Sequence, residues 1–191
     1  MLGVTLTPKF MFGCNGHLRN NLYVTDEGKK LLYSAGNNVI VYNPEDGESG
    51  SQTILAGSDN NERINFITVS PSDKYVAMCE RGERALVTIY NITSRDKRNR
   101  VKQIPDGHNV DRDFPELHGV QEFLAAAFSP KDEHRLFTLV GDPAWSVLLW
   151  HWTEGQASKI LSRVDLTNRE LLKSAFDGST SLSSSFMMSL Y

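Results

Sequence analysis

Cysteine is scarce in this sequence, and its scarcity excludes two common ways of stabilising a small domain. Cys14 and Cys79 are the only two cysteines among 191 residues. Two isolated thiols form neither a disulfide framework nor the paired cysteines and histidines of a zinc site. We therefore expect both cysteines to be reduced residues that pack within the folded chain.

The sequence also lacks a long apolar run and a marked excess of either charge. No stretch reaches the roughly 20 apolar residues of a membrane-spanning helix, and Met1 to Phe12 lack the basic leader and apolar core of a signal peptide. The 20 basic residues face 23 acidic ones, which gives a net charge of −3 and a pI of about 5.9. The lack of a spanning run and of a leader predicts a cytoplasmic protein, and the charge balance predicts neither a nucleic-acid nor a membrane partner.

The sequence does contain an internal repeat. Val24 and Val69 stand 45 residues apart, and each ends an apolar strand that is followed by a turn and two further strands. A third copy carries Phe128-Ser129-Pro130 where the second carries Val69-Ser70-Pro71. A period of this length, with three or four strands in each unit, is typical of β-propeller blades.

The predicted fold is all-β: a partial WD-repeat β-propeller of about three four-stranded antiparallel blades. The blades are placed at about residues 20–57, 62–104 and 120–166, within a domain that covers 1–166 and includes an insert at 105–119. Residues 167–191 are expected to form a short helix and a flexible serine-rich tail, because Thr167-Asn168-Arg169-Glu170 fits a capping box. Closed propellers have about four to eight blades, so we expect an open array.

An open array leaves apolar sheet faces without a neighbour. We expect Leu148, Leu149, Trp150 and Trp152 of the third unit to need a cover, since each large apolar side chain is worth roughly 1.5 to 3 kcal/mol when buried. The candidates are the predicted C-terminal helix, the N-terminal segment, a second copy of the chain, or another protein. The sequence therefore predicts self-association through open blade faces.

A basic run at the end of the second unit is the candidate protein-binding site. Its cations can dock an acidic partner, including the acidic tails of cytoskeletal polymers. No aromatic residues lie between them to stack bases, which disfavours nucleic acid. The alternative is a solvated hairpin loop outside the core. The candidate residues are Arg95, Lys97, Arg98, Arg100 and Lys102.

The insert carries residue types that bind metals or transfer protons, including His108, His118, Asp111 and Asp113. Their spacing matches no known metal motif, such as two histidines four apart on one helix face. We expect a polar surface loop, and no catalytic residue, cofactor or metal.

Several segments of the repeat region have a pattern known from one family: His17-Leu18-Arg19-Asn20-Asn21-Leu22, Val39 to Asn43, Val69-Ser70-Pro71 with Tyr75 to Ala77, Val87 to Tyr90, and Ala127 to Pro130. In this order and spacing, over about residues 10–165, the chain resembles the N-terminal propeller of the cilia- and flagella-associated protein 57 family. The resemblance implies a non-enzymatic scaffold in the axoneme of motile cilia or flagella. It also implies axonemal partners, such as subunits of the inner dynein arms or their regulatory complex.

Two other interpretations stay open at this point. One is a truncated fragment without independent function, which a longer reading frame with further Ser-Pro-x-Asp units would favour. The other is a hydrolase that uses the propeller as a frame. The sequence offers this second interpretation no matching nucleophile and base, and no Gly-rich phosphate loop.

Overall fold

The computed structural model describes residues 9–18, 20–47, 50–59, 61–94, 99–105 and 115–153, and the strand at 156–163. The predicted C-terminal helix and serine-rich tail lie outside these residues. Arg95, Lys97 and Arg98 of the basic run also lie outside them, as does most of the insert. The helix and the proposed domain limits therefore stay predictions.

The described residues form three antiparallel sheets of four strands each, and each sheet is built from strands that are consecutive in the chain. This arrangement confirms the predicted open, all-β, blade-like fold. The first sheet contains β1 (Leu22–Thr25), β2 (Lys30–Ala35), β3 (Asn38–Asn43) and β4 (Ser51–Ala56). The second contains β5 (Asn61–Val69), β6 (Tyr75–Gly82), β7 (Leu86–Asn91) and β8 (Arg100–Ile104). The third contains β9 (Phe123–Phe128), β10 (Arg135–Val140), β11 (Ser146–His151) and β12 (Gln156–Arg163).

The tight turns of the first sheet explain where its strands begin and end. The turn between β1 and β2 contains Asp26 and Glu27 at φ of 55° and 54°, followed by Gly28 at 93°. Between β2 and β3 only Gly36 and Asn37 remain, a two-residue loop of the kind that connects hairpin strands. Asp, Asn and Gly tolerate left-handed backbone better than other residues, so these turns are fixed locally.

The two Ser-Pro turns are structurally equivalent, as the repeat alignment predicts. Ser70 follows β5 and its N–H donates to the carbonyl oxygen of Tyr75 at 2.8 Å, while Ser129 follows β9 and its N–H donates to the carbonyl oxygen of Arg135 at 3.0 Å. Both serines are 2% exposed. Each turn thus closes on the first residue of the second strand of its sheet, which confirms the alignment.

The first and second sheets pack face to face through aliphatic side chains. Leu32 and Val39 of the first sheet lie in one buried cluster with Ile67 and Met78 of the second. A hydrogen bond crosses the same interface, from the Tyr23 hydroxyl to the carbonyl oxygen of Ile67 at 2.8 Å. Burial raises the pKa of Tyr23 to about 12, so this hydroxyl stays a donor throughout the physiological range.

The second and third sheets share a core with more aromatic character. Trp152 lies just beyond β11 and contacts the ring of Tyr75 edge-on, with ring centroids 4.9 Å apart and an interplanar angle of 71°. Its indole N–H donates to the carbonyl oxygen of Glu133 at 2.8 Å, and the indole N–H of Trp150 donates to Oγ1 of Thr138 at 2.8 Å. Both indole donors are therefore satisfied inside the core, as buried tryptophans require.

The position of these tryptophans corrects one expectation. Leu148, Trp150 and Trp152 were expected on an uncovered outer face of the third unit, but all three pack against the second sheet. Alternate residues of a strand point to opposite faces, so Leu148 and Trp150 share the inward face and only Leu149 points the other way. The cover for the inward three is the second sheet itself.

The end of the insert also differs from the expected surface loop. Pro115–Leu117 forms a short 3₁₀ turn, after which the chain leads into β9. Leu117 and Val120 are buried in the core between the second and third sheets, whereas His118 is exposed. The apolar side chains of this segment therefore extend the core between the second and third sheets. The mostly polar composition of the insert gave no indication of this burial.

Glu80, at the end of β6, is a buried carboxylate that ties the first sheet to the second. It is 1% exposed and accepts hydrogen bonds from the Ser58 N–H at 2.7 Å, from Nδ2 of Asn61 at 2.8 Å and from Oγ1 of Thr88 at 2.8 Å. Ser58 precedes β5 and Asn61 begins it, so the carboxylate holds the connection between the two sheets. Burial raises the pKa of Glu80, and the hydrogen bonds oppose that rise.

Replacing Trp152 tests the shared core of the second and third sheets. Trp152→Ala should lower the free energy of unfolding by about 3 to 5 kcal/mol, because it removes a fully buried aromatic side chain and leaves a cavity. Urea unfolding followed by circular dichroism measures the change. Phe12→Ala is the control, since Phe12 is 89% exposed and should change stability by less than about 0.5 kcal/mol. Equal stability of the two variants would contradict the packing described.

Glu80→Gln tests the buried carboxylate through pH. The pKa of Glu80 is higher in the folded chain than in the unfolded chain, so protonation of Glu80 stabilises the fold. This stabilisation is complete below the unfolded pKa of about 4.3 and is lost as the pH rises through the folded pKa. Glutamine does not titrate. The stability of the wild type relative to Glu80→Gln should therefore fall as the pH is raised from about 4 to 7. Urea unfolding across this range checks it, with the exposed Glu45→Gln as control, and a difference that is constant with pH would refute it.

Candidate protein-binding surfaces

The first strand-to-strand turns of the three sheets lie side by side. We call this set the turn row; it comprises residues 26–29, 70–74 and 129–134. The N–H of Asp26 donates to Oδ2 of Asp73 at 3.2 Å, which joins the first turn to the second. Oγ of Ser72 donates to Oε2 of Glu133, which joins the second turn to the third. The repeat thus places polar residues of successive turns next to one another.

A cavity of about 230 Å³ lies between the first two turns of the row. Asp26, Glu27 and Asp73 supply three carboxylates to its lining, and Lys30 supplies one ammonium group. Thr25 and Ile92 line it as well. The cavity is therefore acidic; its other lining residues are three that carry hydroxyls, Thr25, Ser72 and Thr93, and the aliphatic Ile92.

The charges in this cavity are partly paired. Nζ of Lys30 lies 2.9 Å from Oδ2 of Asp26, and this ion pair lowers the pKa of Asp26, with a smaller contribution from Lys29. Asp26 is therefore ionised at neutral pH. Glu27 and Asp73 have no ion pair among the residues that the structure describes, so the lining has more negative than positive charge.

The basic run is only partly within the described residues. Arg100 and Lys102 lie on β8, the last strand of the second sheet. Arg100 stands opposite Tyr90 and Lys102 opposite Ile89, with a register shift between the two pairs. Tyr90 faces the first sheet and Ile89 the third, and residues directly opposite each other in a sheet share a face. The bulge therefore turns these two cations toward different sides of β8.

One face of the first sheet is apolar and has no neighbouring sheet in the described residues. Leu22, Tyr33, Ile40 and Ile54 form one cross-strand row on it. Ile40 is fully buried and Tyr33 and Ile54 are half-buried, so the exposed part of this face lies on β1. Leu22 is 60% exposed, and Val24, two residues along β1, is 61% exposed. We call this surface the open blade face.

The N-terminal segment contacts the open blade face at β4, the strand farthest from β1 in the first sheet. The N–H of Met11 donates to Oε1 of Gln52 at 2.7 Å, and Nε2 of Gln52 donates to the Tyr33 hydroxyl at 3.2 Å. The N–H of Asn15 donates to the carbonyl oxygen of Ser34 at 3.1 Å. The β1 side of the face stays exposed beside these contacts.

The cysteines and the insert do not come together in the described part of the chain. Cys79 is fully buried, and burial raises the pKa of its thiol well above the usual range, whereas Cys14 is exposed. No group of three or more His, Cys, Asp or Glu side chains able to hold a metal ion occurs among the described residues. His108, Asp111 and Asp113 lie outside those residues. No helix of the described chain is long and apolar enough to cross a membrane.

Sequence reasoning missed the cavity because its residues belong to two different blades. Taken alone, the sequence indicates only that Asp26 and Asp73 follow strands, and nothing in it distinguishes Thr25. The signal was present in the repeat: the aligned units place an acidic residue soon after the first strand of each sheet. Since equivalent turns of stacked blades are neighbours, repeated acidic residues predict a shared acidic surface.

No protein-family model matches the chain. The chain is 30% identical over 152 residues, 79% of its length, to cilia- and flagella-associated protein 57 of Mus musculus. It is 29% identical over 160 residues, 83% of its length, to cilia- and flagella-associated protein 57 C of Tetrahymena thermophila. In both comparisons the chain spans 11% of the length of the relative.

Among solved structures, the chain is similar to the crystal structure of the RRP9 WD40 repeats. The TM-score is 0.51 with 19% identity, and the match covers 72% of this chain and 36% of that one. This similarity supports the fold, and the two relatives supply the sequence relationship. The chain is therefore a WD-repeat β-propeller chain similar in sequence to cilia- and flagella-associated protein 57.

Proposed function

We propose that this chain is a non-enzymatic protein-interaction scaffold in the axoneme of motile cilia or flagella. The observation that carries the proposal is the open blade face, in a chain whose relatives are named for cilia and flagella. Leu22 and Val24 leave large apolar side chains exposed on a surface of the type that binds another blade elsewhere in the molecule. Exposed contiguous apolar surface of this kind is typical of protein-binding sites.

The partners that this proposal favours are axonemal proteins, such as subunits of the inner dynein arms or their regulatory complex. This choice of partners rests on the sequence similarity to cilia- and flagella-associated protein 57. The location that follows is the cytoskeleton of the cilium or flagellum. The proposal includes no catalytic residue, cofactor or metal, and the buried thiol of Cys79 agrees with it.

The basic run is the proposed contact for an acidic axonemal surface. It comprises Arg95, Lys97, Arg98, Arg100 and Lys102, of which the structure describes Arg100 and Lys102 on β8. Because the bulge at Val101 turns these two cations to different sides, the run offers positive charge around an edge rather than on one flat patch. Such an edge suits a flexible acidic segment better than a rigid planar surface.

Cosedimentation with isolated Tetrahymena axonemes tests this proposal. The wild-type chain should pellet with the axonemes, with an affinity that falls as salt is raised, because screening weakens contacts between exposed charges. Replacing all five cations of the run with glutamine should weaken binding by about 10-fold or more, since a surface ion pair contributes about 0.2 to 1 kcal/mol and about 1.4 kcal/mol corresponds to a factor of ten. Lys9→Gln with Lys131→Gln is the control, because both lysines are exposed and belong to neither the basic run nor the lining of the cavity.

Two outcomes would count against this account. A chain that stays in the supernatant at every salt concentration is not an axonemal scaffold. If the chain pellets but the five-fold variant binds as tightly as the control, the basic run is not the contact. A panel of hydrolase substrates measured on the same preparation should show no turnover, and turnover would support the hydrolase interpretation.

Self-association through the open blade face is the second proposed interaction. In the described residues, both faces of the second sheet are covered by neighbouring blades, so the same type of surface on a second copy can cover Leu22 and Val24. Leu22→Ser with Val24→Thr should raise the dissociation constant of the oligomer by about 10-fold or more, because it removes apolar area from the interface. Val101→Thr on β8, at 46% exposure, is the control. Analytical ultracentrifugation measures the change, and a wild-type chain that is monomeric at all concentrations would contradict this interaction.

A further inference from the structure

We propose that the cavity between the first two turns of the turn row binds an arginine side chain from a partner protein. This inference rests on the proposed scaffold function and names a chemical feature of one partner. The site is the cavity of about 230 Å³, and its lining residues are Thr25, Asp26, Glu27, Lys30, Ser72, Asp73, Ile92 and Thr93. Its volume is far larger than the ~15 Å³ that one water needs by the same kind of measure.

The charge of the cavity selects a cation. Of the three lining carboxylates, that of Asp26 is paired with Lys30 at 2.9 Å, and those of Glu27 and Asp73 remain for a ligand. Lys29, which is exposed beside the same turn, also lowers the pKa of Asp26. Even with Lys29 and Lys30 counted, the site has more acidic than basic groups. A phosphate or carboxylate ligand would meet these like charges, so anions are disfavoured.

The hydroxyl of Thr25 is a second, independent indication of a ligand. Thr25 is 2% exposed and lines the cavity, yet its Oγ1 has no hydrogen-bond partner in the part of the chain that the structure describes. Buried polar atoms are nearly always hydrogen-bonded, and a buried hydroxyl without a partner is destabilising. A ligand that brings an N–H donor into the cavity would satisfy it.

The equivalent residue of the next blade shows that the repeat normally satisfies this hydroxyl. Ser70 occupies the position 45 residues after Thr25. Its Oγ accepts the N–H of Tyr75 at 3.0 Å and lies 3.2 Å from Oγ of Ser72. The first blade has no counterpart of these bonds at Thr25. Of the described buried hydroxyls without a partner, those of Thr25, Ser34 and Ser146, only that of Thr25 belongs to a residue that lines the cavity.

The remaining wall favours arginine over lysine. Ile92 offers an aliphatic surface for a long methylene stem, which basic side chains bury readily. A guanidinium group presents five donors in a planar fork and can bond a carboxylate and a hydroxyl together, whereas an ammonium group has three donors at one point. Oδ2 of Asp73 accepts the N–H of Asp26 at 3.2 Å, and the other oxygen of that carboxylate is oriented by this bond.

The test uses the full chain and a defined probe. ¹⁵N-labelled protein is titrated with N-acetyl-arginine methylamide and, separately, with the uncharged citrulline analogue. Arginine should shift the amide resonances of residues 25–27, 72–73 and 92–93, while citrulline should leave them unchanged. Equal shifts with both probes, or arginine shifts spread over the whole surface, would overturn the proposal.

Two variants locate the binding determinants. Asp73→Asn should weaken arginine binding by about 5- to 20-fold, because it removes one charge while keeping an acceptor for the N–H of Asp26. Asn also tolerates the φ of 56° at this position, so the turn should be preserved. Asp132→Asn, the corresponding change in the third turn, is the matched control and should bind arginine like the wild type. Equal affinities for the two variants would refute the site.

Thr25→Val separates a ligand-binding hydroxyl from a merely structural one. Valine has the same shape without the hydroxyl, so this variant should raise the melting temperature of the free chain and lower its affinity for arginine. Unchanged arginine affinity would remove Thr25 from the site.

The axoneme assay distinguishes failure of this proposal from failure of the scaffold proposal. A chain that binds axonemes but not arginine would support the scaffold function and contradict the arginine site. A chain that binds arginine but not axonemes would support the arginine site and contradict the scaffold function.

Discussion

The structure depends on β6, a strand of the middle sheet that is buried between the first and third sheets. Along β6, Tyr75, Ala77 and Cys79 face the third sheet, while Val76 and Met78 face the first. All five side chains are 8% exposed or less. Such a strand reads as a nearly continuous apolar run instead of an alternating one, because neither of its faces meets water. The cores on its two sides therefore share one backbone, and the position of each outer blade is set by its contact with the second sheet.

The strands and turns were predictable from the sequence because both are determined locally. Gly36-Asn37 allows a two-residue hairpin, and the two Ser-Pro dipeptides end equivalent strands, so the repeat could be aligned without a structure. The open, blade-like architecture followed from the period and the number of units. None of these features requires knowledge of which blade contacts which.

Features that depend on contacts between blades were not predictable in the same way. The inward direction of Trp152 depends on how the chain leaves β11, and the burial of Glu80 depends on the connection that carries Ser58. The acidic cavity needs two turns that are 45 residues apart to become neighbours. A single sequence gives the residues of these sites but not their juxtaposition, and the bulge that separates Arg100 from Lys102 was hidden for the same reason.

The same arrangement connects the fold to its proposed use. In the described residues the middle blade packs against a neighbouring sheet on each face, whereas the first blade offers an apolar face to a partner and the turn row offers an acidic surface. Native-state hydrogen exchange tests the central claim, that the second sheet is the core shared by its neighbours. The amides of Ala77, Met78 and Cys79 should exchange only through global unfolding, far more slowly than those of β1. Exchange in β6 that is as fast as in β1 would contradict the account.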